Sequence, residues 1–206
     1  MKTIDAKNLT LRDIQRVLKF EEQQGSFTLL LDLLNTTEFE QQELQEISNL
    51  FRDYYAEGKI SEGEVKFLIL APLMRLAGFY NSSIKITLEE NIADISIIDE
   101  DTNIKGRMDI LAIKKTEFTP FWILVIESKN SSINSSEGLP QLLTYAHTSL
   151  KNQTSVWGLT TNGMDYQFAY IHSGPPPTYQ LLPKLDITRP DSAIQLLQTL
   201  KTISHL

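Results

Sequence analysis

The feature that most constrains this fold is an apolar run that ends in charge, since residues 121–129 read FWILVIESK. A strand of this composition has apolar side chains on both faces, which predicts a central strand covered on both sides. Side chains alternate along a strand, so Glu127 and Lys129 project from the same face, one rung apart. Because buried charges are costly unless they are paired or bind a metal, the end of this strand is the first candidate for a functional site.

The composition narrows the class of protein. A length of 206 residues with 41% apolar content fits one ordinary globular domain with a small helical appendage. The absence of cysteine excludes disulfides and thiolate zinc sites and favours a reducing, cytoplasmic location. We expect no secretion signal and no membrane partner, because no apolar stretch approaches about 20 residues. The net charge of -7 disfavours nonspecific binding of polyanions but leaves room for a local basic patch.

Hydrophobic periodicity predicts helices followed by strands, a crossover helix, a hairpin and a last helix. The predicted helices cover residues 9–24, 37–57, 61–78, 139–150 and 190–203. The predicted strands cover residues 84–88, 93–98, 104–113, 121–127, 155–160, 166–171 and 179–182, with turns at 99–103 and 115–120. We therefore expect an α/β (α+β) fold with a mixed central sheet flanked by helices. Residues 1–58 form an N-terminal helical extension packed on a core of residues 59–206.

Two carboxylates lie on strand faces that otherwise read as buried. Asp109 shares its face with Leu111, and Glu127 shares its face with Val125. If the two strands are neighbours, the carboxylates meet, and one pKa rises unless a divalent cation joins them. Mg²⁺ commonly binds one or two carboxylates together with water and phosphate oxygens, and it activates bound water and neutralises phosphate charge. Lys129 would orient the attacking water or stabilise developing charge.

A structural alternative explains the same residues. In it, Glu127 and Lys129 form an ion pair at a strand end, and Asp109 is bonded to backbone. The spacing Glu-x-Lys carries little information alone, because Glu64-Val65-Lys66 repeats it within a predicted helix. The chain also has no Gly-x-x-x-x-Gly-Lys-Ser/Thr phosphate loop, so we expect no ATP site.

The pair of motifs Gly106-Arg107-Met108-Asp109 and Glu127-Ser128-Lys129 resembles the PD-(D/E)XK nuclease superfamily. The likeness is strongest to the N-terminal nuclease domain of type I restriction-enzyme R subunits, over residues 60–172. Residues 62–79 are similar to the first helix of that domain, and residues 138–146 to its Gln-x-x-x-Tyr helix. One departure is Met108, which stands where the family pattern has proline.

The resemblance implies a restriction-endonuclease-like core that hydrolyses phosphodiester bonds in DNA with Mg²⁺, for which Mn²⁺ can substitute. It implies metal ligation by Glu62, Asp109 and Glu127. The helical pattern agrees for Glu62, which shares the inward face with Val65 and Ile69.

The remaining site candidates surround these acids. The resemblance implies that Gln141 positions a neighbour of the site and that Tyr145, one helical turn later, lies near the substrate. Arg107 and Lys105 flank the predicted site and are candidates for contacts with the nucleic-acid backbone. The partners expected are DNA, subunits of a restriction–modification system and a second copy of the chain. The rival hypothesis is a catalytically silent nuclease-like subunit that binds DNA or protein.

Overall fold

The computed structural model describes residues 2–23, 31–91, 95–97, 102–115 and 121–206. Within them the protein is a mixed α/β protein built on two sheets. The smaller sheet has the order β1-β5-β4, formed by β1 (Lys2–Asp5), β4 (Ile95–Ile97) and β5 (Thr102–Lys105). The larger sheet follows the order β2-β10-β9-β8-β7-β6-β3, with β11 paired to β9.

The larger sheet carries the predicted site in its centre. Its strands are β2 (Glu21–Glu22), β3 (Ile84–Asn91), β6 (Arg107–Lys114), β7 (Phe121–Ser128), β8 (Ser155–Thr161), β9 (Asp165–His172), β10 (Thr178–Leu181) and β11 (Leu185–Asp186). β6 is antiparallel to both β3 and β7, whereas β7 and β8 are parallel. A parallel pair needs a crossover connection, and a helix supplies it here.

The first two long helices begin at side-chain caps. α1 (Leu11–Val17) starts after Thr10, and α2 (Glu38–Glu57) starts after Thr37, each with a capping box. The crossover helix between β7 and β8 is α5 (Leu139–Ser149), and the last helix is α6 (Pro190–Ser204). The predictions for these last two helices and for α2 are confirmed to within about two residues.

The predicted helix over residues 61–78 has an internal change of pitch. It consists of α3 (Glu62–Glu64), a π-helical turn (Val65–Leu70) and α4 (Ala71–Leu76). The capping box from Ser61 to Glu64 is confirmed. Pro72 cannot donate a backbone hydrogen bond, and the wide turn lies directly before it, where Ala71 N–H donates to the Lys66 carbonyl.

Two hydrophobic cores cover the larger sheet. One contains Phe51, Leu73 and Leu196 from α2, α4 and α6, together with Ile126 of β7. The other contains Ile14 and Leu142 from α1 and α5, together with Val125 of β7. Adjacent residues of β7 thus enter different cores, which confirms the prediction of a central strand that is apolar on both faces.

Several boundaries differ from the prediction, among them the end of β3, which extends to Asn91 instead of residue 88. The expected strand over residues 104–113 is divided at Gly106 between the two sheets. Glycine suits this position, since a Cβ there would lie 2.8 Å from the Tyr145 ring and 2.9 Å from Ala6. The expected helix over residues 9–24 ends early, since Lys19 has a positive φ of 59° and residues Glu21–Glu22 form β2. The turn predicted at 99–103 is wrong at its end, because β5 begins at Thr102. The rest of that turn, residues 116–120 of the turn predicted at 115–120, and parts of the strand predicted at 93–98 lie outside the described residues.

Candidate active site

Three carboxylates lie in a row across neighbouring strands of the larger sheet. Ile110 of β6 pairs with Ile126 of the antiparallel strand β7. Asp109 precedes Ile110 and Glu127 follows Ile126, so the two acids lie opposite each other. On the other side of β6, the pairs Leu88–Ile110 and Glu90–Met108 place Glu89 across from Asp109. We call Glu89, Asp109 and Glu127 the acidic row. It runs from the edge strand β3 to the central strand β7.

Asp109, in the middle of the row, binds partners with both oxygens. Its Oδ2 accepts hydrogen bonds from the Ser128 backbone N–H at 2.7 Å and from the Ser128 hydroxyl at 3.0 Å. Its Oδ1 lies 3.1 Å from Nζ of Lys66. The backbone bond expected from the structural alternative is therefore present, and it fixes the carboxylate against the end of β7.

Glu127 is the buried acid of the row, with only 2% of its surface exposed. Oε1 accepts a hydrogen bond from Lys129 Nζ at 2.7 Å, whereas Oε2 is buried and has no partner among the described residues. Burial, helped by the charge of Asp109 and opposed by Lys129, raises the pKa of Glu127 to about 8. A buried carboxylate oxygen without a donor is costly, and a bound cation is one way to satisfy it.

A hydrogen-bonded series holds Lys129 in place beside Glu127. Lys129 Nζ also donates to Gln141 Oε1 at 2.6 Å, and Gln141 Nε2 donates to the Tyr145 hydroxyl at 3.1 Å. The two α5 residues lie one turn apart, so a single helical face carries the series. The prediction that Gln141 positions a neighbour of the site agrees with these contacts. We call Glu127, Lys129 and Gln141 the central half of the site.

The sequence reasoning missed Lys66, which lies at the other end of the row. Its Nζ is 3.1 Å from Glu62 Oε1, 3.1 Å from Asp109 Oδ1 and 3.4 Å from Glu89 Oε1. Burial acts to lower the pKa of Lys66, but Asp109 and Glu62 outweigh it and raise the pKa above its ordinary value. The ammonium group is thus held in its charged form among three acids. We call Glu62, Lys66 and Glu89 the edge half of the site.

Glu89 was also missed, and its backbone is unusual. It has a positive φ of 55°, which is costly for a residue with a Cβ. Its carboxylate contacts Lys66 with one oxygen and, with the other, Arg107 Nη2 at 2.9 Å. Positive φ values at residues other than glycine, asparagine and aspartate occur most often at functional sites, because other interactions must compensate for their cost. The only sequence signal was its place in an acidic pair, Glu89-Glu90.

The structure places the other predicted residues differently. Glu62 reaches the site through Lys66, and Arg107 is exposed beside Glu89. Lys105 is exposed at the end of β5, in the smaller sheet. The sequence predicts substrate contact for Tyr145, but this side chain is only 1% exposed. Its hydroxyl instead accepts a hydrogen bond from Gln141.

An apolar groove of about 430 Å³ opens beside the edge half. Lys66, Glu89 and Asp109 lie at its polar end. Its apolar walls are formed by Phe67, Ala71, Met74, Tyr80, Ile86, Leu88 and Ile110. Phe67 is 76% exposed, and Leu88 and Tyr80 are also largely exposed. Exposed apolar side chains that converge in this way commonly mark a binding surface.

The donor set can be compared with what a magnesium ion requires. Among the described residues, no group of three or more His, Asp or Glu side chains is arranged to hold a metal. Mg²⁺ needs fewer protein ligands than that, since water and phosphate oxygens complete its shell. Asp109 and Glu127 Oε2, which has no partner within the described ranges, fit this requirement as a pair of hard oxygen ligands. The residues present are therefore compatible with one magnesium ion on the Asp109–Glu127 side.

No protein-family model matches the chain, and no curated protein matches its sequence. Over the described ranges, no helix has the length and apolar character needed to cross a bilayer.

Proposed function

We propose that the protein is a Mg²⁺-dependent phosphodiesterase, and that its substrate is DNA. The observation that carries this proposal is the central half of the site. There, the buried Glu127 carboxylate lies across from Asp109, is joined to Lys129 at 2.7 Å, and has one oxygen without a partner in the part of the chain that the structure describes. An ion pair with a purely structural role has no need of the free oxygen, which costs stability where it is buried.

The surrounding fold supports the same proposal. The four strands β3, β6, β7 and β8 form a mixed sheet, antiparallel except for β7 and β8, with helices on both faces. This is the core expected of a restriction-endonuclease-like fold, and the acidic row crosses three of its strands. The proposed membership of the PD-(D/E)XK nucleases rests on this arrangement together with the motifs around Asp109 and Glu127.

The chain's own residues have distinct tasks in the proposed reaction. Asp109 and Glu127 would hold Mg²⁺, which when bound lowers the pKa of water and neutralises charge on the scissile phosphate. Lys129 Nζ donates to Glu127 and Gln141, and its third proton is available to orient the attacking water or a phosphate oxygen. Gln141, supported by Tyr145, keeps the ammonium group from turning away from the site.

The apolar groove would bind a part of the substrate other than the scissile phosphate. Phosphate contacts alone suit a basic surface, but this chain has a net charge of -7. Apolar and aromatic walls next to Asp109 suit the sugar and base that flank a scissile phosphate. Arg107, exposed beside Glu89, is positioned to contact the adjoining phosphate.

The test is cleavage by the purified full chain. Circular duplex, linear duplex, single-stranded DNA and RNA are incubated with Mg²⁺, with Mn²⁺ or with EDTA, and the products are resolved by size. We expect metal-dependent cleavage of DNA by the wild-type protein and its loss in Lys129→Ala, Asp109→Asn and Glu127→Gln. The matched control is Lys85→Ala, an exposed lysine on β3 outside the site.

The outcomes separate the proposal from its rivals. Equal cleavage by wild type and Lys129→Ala would assign the activity to a contaminant or to another site. Metal binding without cleavage of any substrate would indicate a catalytically silent nuclease-like subunit. If Asp109→Asn and Glu127→Gln leave metal binding unchanged and alter only stability, the site is structural.

A further inference from the structure

The aromatic side chain that follows Lys66 in sequence is directed into solvent. Phe67 belongs to the π-helical turn, between the buried residues Val65 and Ile69, yet it is itself 76% exposed. Turns of this width are frequent at functional sites. Because so little of Phe67 is buried, the side chain contributes little to the core and is available to a partner.

Phe67 is one wall of the apolar groove, and two more exposed side chains lie there with it. Leu88 is 64% exposed and Tyr80 is 52% exposed, and both line the groove. Large apolar and aromatic side chains that remain in water around one groove indicate a ligand with a flat or apolar surface. The groove volume of about 430 Å³ lies in the range of small-ligand sites, which suits a ligand the size of a nucleoside.

The charges around the groove determine which part of a nucleic acid fits it. Of the described residues that line the groove, Lys66 alone is a cation, and three carboxylates already surround it. A phosphate backbone needs positive charge along its path, so the apolar walls suit an uncharged base instead. The polar end is continuous with the candidate active site, because it shares Asp109 with it, and the phosphate would lie at that end.

We propose that the apolar groove binds an unpaired nucleobase next to the scissile phosphate, stacked on Phe67, and that the substrate is DNA that is single-stranded at the point of cleavage. In an intact duplex each base is paired and stacked, so it has to be extruded before it can enter a groove on a protein. Stacking on an aromatic ring tolerates every base, so the groove would select for unpaired structure and not for sequence. This inference rests on the proposed function for the position of the phosphate, but base binding is measured without cleavage.

The test uses a single-stranded oligonucleotide that carries a terminal fluorophore and one 2-aminopurine, a base whose emission falls when its ring stacks. Ca²⁺ replaces Mg²⁺, and the affinity of the full chain is measured by fluorescence anisotropy. We expect the single strand to bind about 10-fold or more tightly than the same strand in a duplex, and its 2-aminopurine emission to fall on binding. Phe67→Ala should weaken binding of the single strand about 10-fold, whereas Phe67→Trp, which keeps an aromatic face, should not.

The matched control is Phe39→Ala. Phe39 is likewise a largely exposed phenylalanine, at 65%, but it lies in the first turn of α2 and outside the set of residues that line the groove. Its replacement should leave the affinity for the single strand unchanged. An equal loss of affinity in Phe39→Ala and Phe67→Ala overturns the inference, because the groove would then have no specific role.

The remaining outcomes separate this inference from the proposed function. Equal affinity of the wild type for the single strand and the duplex overturns the inference, and so does an unchanged affinity in Phe67→Ala. Cleavage of intact circular duplex by Phe67→Ala at the wild-type rate in Mg²⁺ also overturns it, and leaves the phosphodiesterase standing. Binding of single strands that depends on Phe67, without cleavage of any DNA, supports the inference and refutes the proposed catalysis.

A crosslink in the wild-type chain covers the case in which Phe67→Ala does not fold. Iodouracil in the single strand loses its iodine under ultraviolet light and bonds to an aromatic ring stacked on it. Peptide mapping should locate the crosslink at Phe67 or at Tyr80, across the groove, with the single strand and at neither residue with the duplex. Crosslinks confined to residues outside the groove contradict the inference.

Discussion

The edge half and the central half of the site differ in how their buried negative charges are compensated. At the edge, three carboxylates share Lys66, and the charges are compensated within the chain. At the centre, Glu127 shares Lys129 with Gln141 and still has an oxygen without a partner among the described residues. The comparison teaches that a saturated ion cluster holds the site together, while an unsaturated one next to it is where chemistry is expected. Asp109 lies between the halves: its Oδ1 contacts Lys66 of the edge half, and its Oδ2 accepts a hydrogen bond from Ser128, the residue between Glu127 and Lys129.

The largest expected effect separates the two halves by catalysis. Lys129→Ala should lower kcat for metal-dependent cleavage by about 10²–10³-fold, because in the proposed reaction Lys129 is a donor to developing charge. Steady-state cleavage of a labelled oligonucleotide measures it. Lys85→Ala should cleave at the wild-type rate, and a loss as large in that control would refute a specific role for Lys129.

The next effect concerns the dependence of stability on pH in the metal-free protein. Glu127 keeps its proton up to a pKa of about 8 in the folded state, against an ordinary value of 4.5, so the folded protein binds more protons between these values. The free energy of unfolding should therefore fall as the pH rises from about 4.5 to about 8. Glu127→Gln, which removes this titration, should be more stable than wild type at pH 8 by an amount on the order of a few kcal/mol.

Urea unfolding in EDTA at pH 5, 6.5 and 8 measures this difference. Glu89→Gln is the matched control from the edge half, where Lys66 already compensates the carboxylate. If Glu127→Gln and wild type show the same slope with pH, Glu127 is ionised in the folded protein, and the contrast between the halves is lost.

A smaller effect tests how the central half is supported. Gln141→Leu removes the acceptor for Lys129 and should lower kcat about 10–100-fold, as is usual when a group that orients a site residue is lost. Tyr145→Phe, which removes only the hydroxyl beneath Gln141, should cost less. A greater loss in Tyr145→Phe than in Gln141→Leu would contradict this order of support.

The smallest effect should be confined to the edge half. Ser61 accepts a hydrogen bond from the Glu64 backbone N–H at 3.3 Å and caps the turn that carries Glu62. Ser61→Ala should destabilise the protein by about 1 kcal/mol and leave kcat unchanged. Thermal unfolding and the cleavage assay check both parts. A large loss of activity would show that the two halves are more strongly coupled than their separate contacts suggest.

Local rules were sufficient for the central half. The alternation of strand residues placed Glu127 and Lys129 on one face, and their 2.7 Å contact agrees with it. Whether the two apolar strands are neighbours was left open by the sequence; β6 and β7 do pair, which brings Asp109 opposite Glu127. Helical spacing then joined Gln141 to Tyr145.

The edge half was beyond these rules for a physical reason. Lys66 was read as an uninformative repeat of Glu-x-Lys, because its partners Glu89 and Asp109 are 23 and 43 residues away in sequence. The π-helical turn that carries Lys66 and the positive φ of Glu89 are departures from regular periodicity. A reading based on regular periodicity cannot detect positions whose role depends on irregular backbone.

Glu89 also exposes a conflict that laboratory evolution of this protein would meet. Glycine at this position would relieve the left-handed backbone, so a selection for heat resistance alone should favour it. The same replacement would delete one of the counter-charges around Lys66. Thermostable variants with glycine at residue 89 should therefore show altered ion requirements. At this residue, selection for stability and selection for activity favour different amino acids.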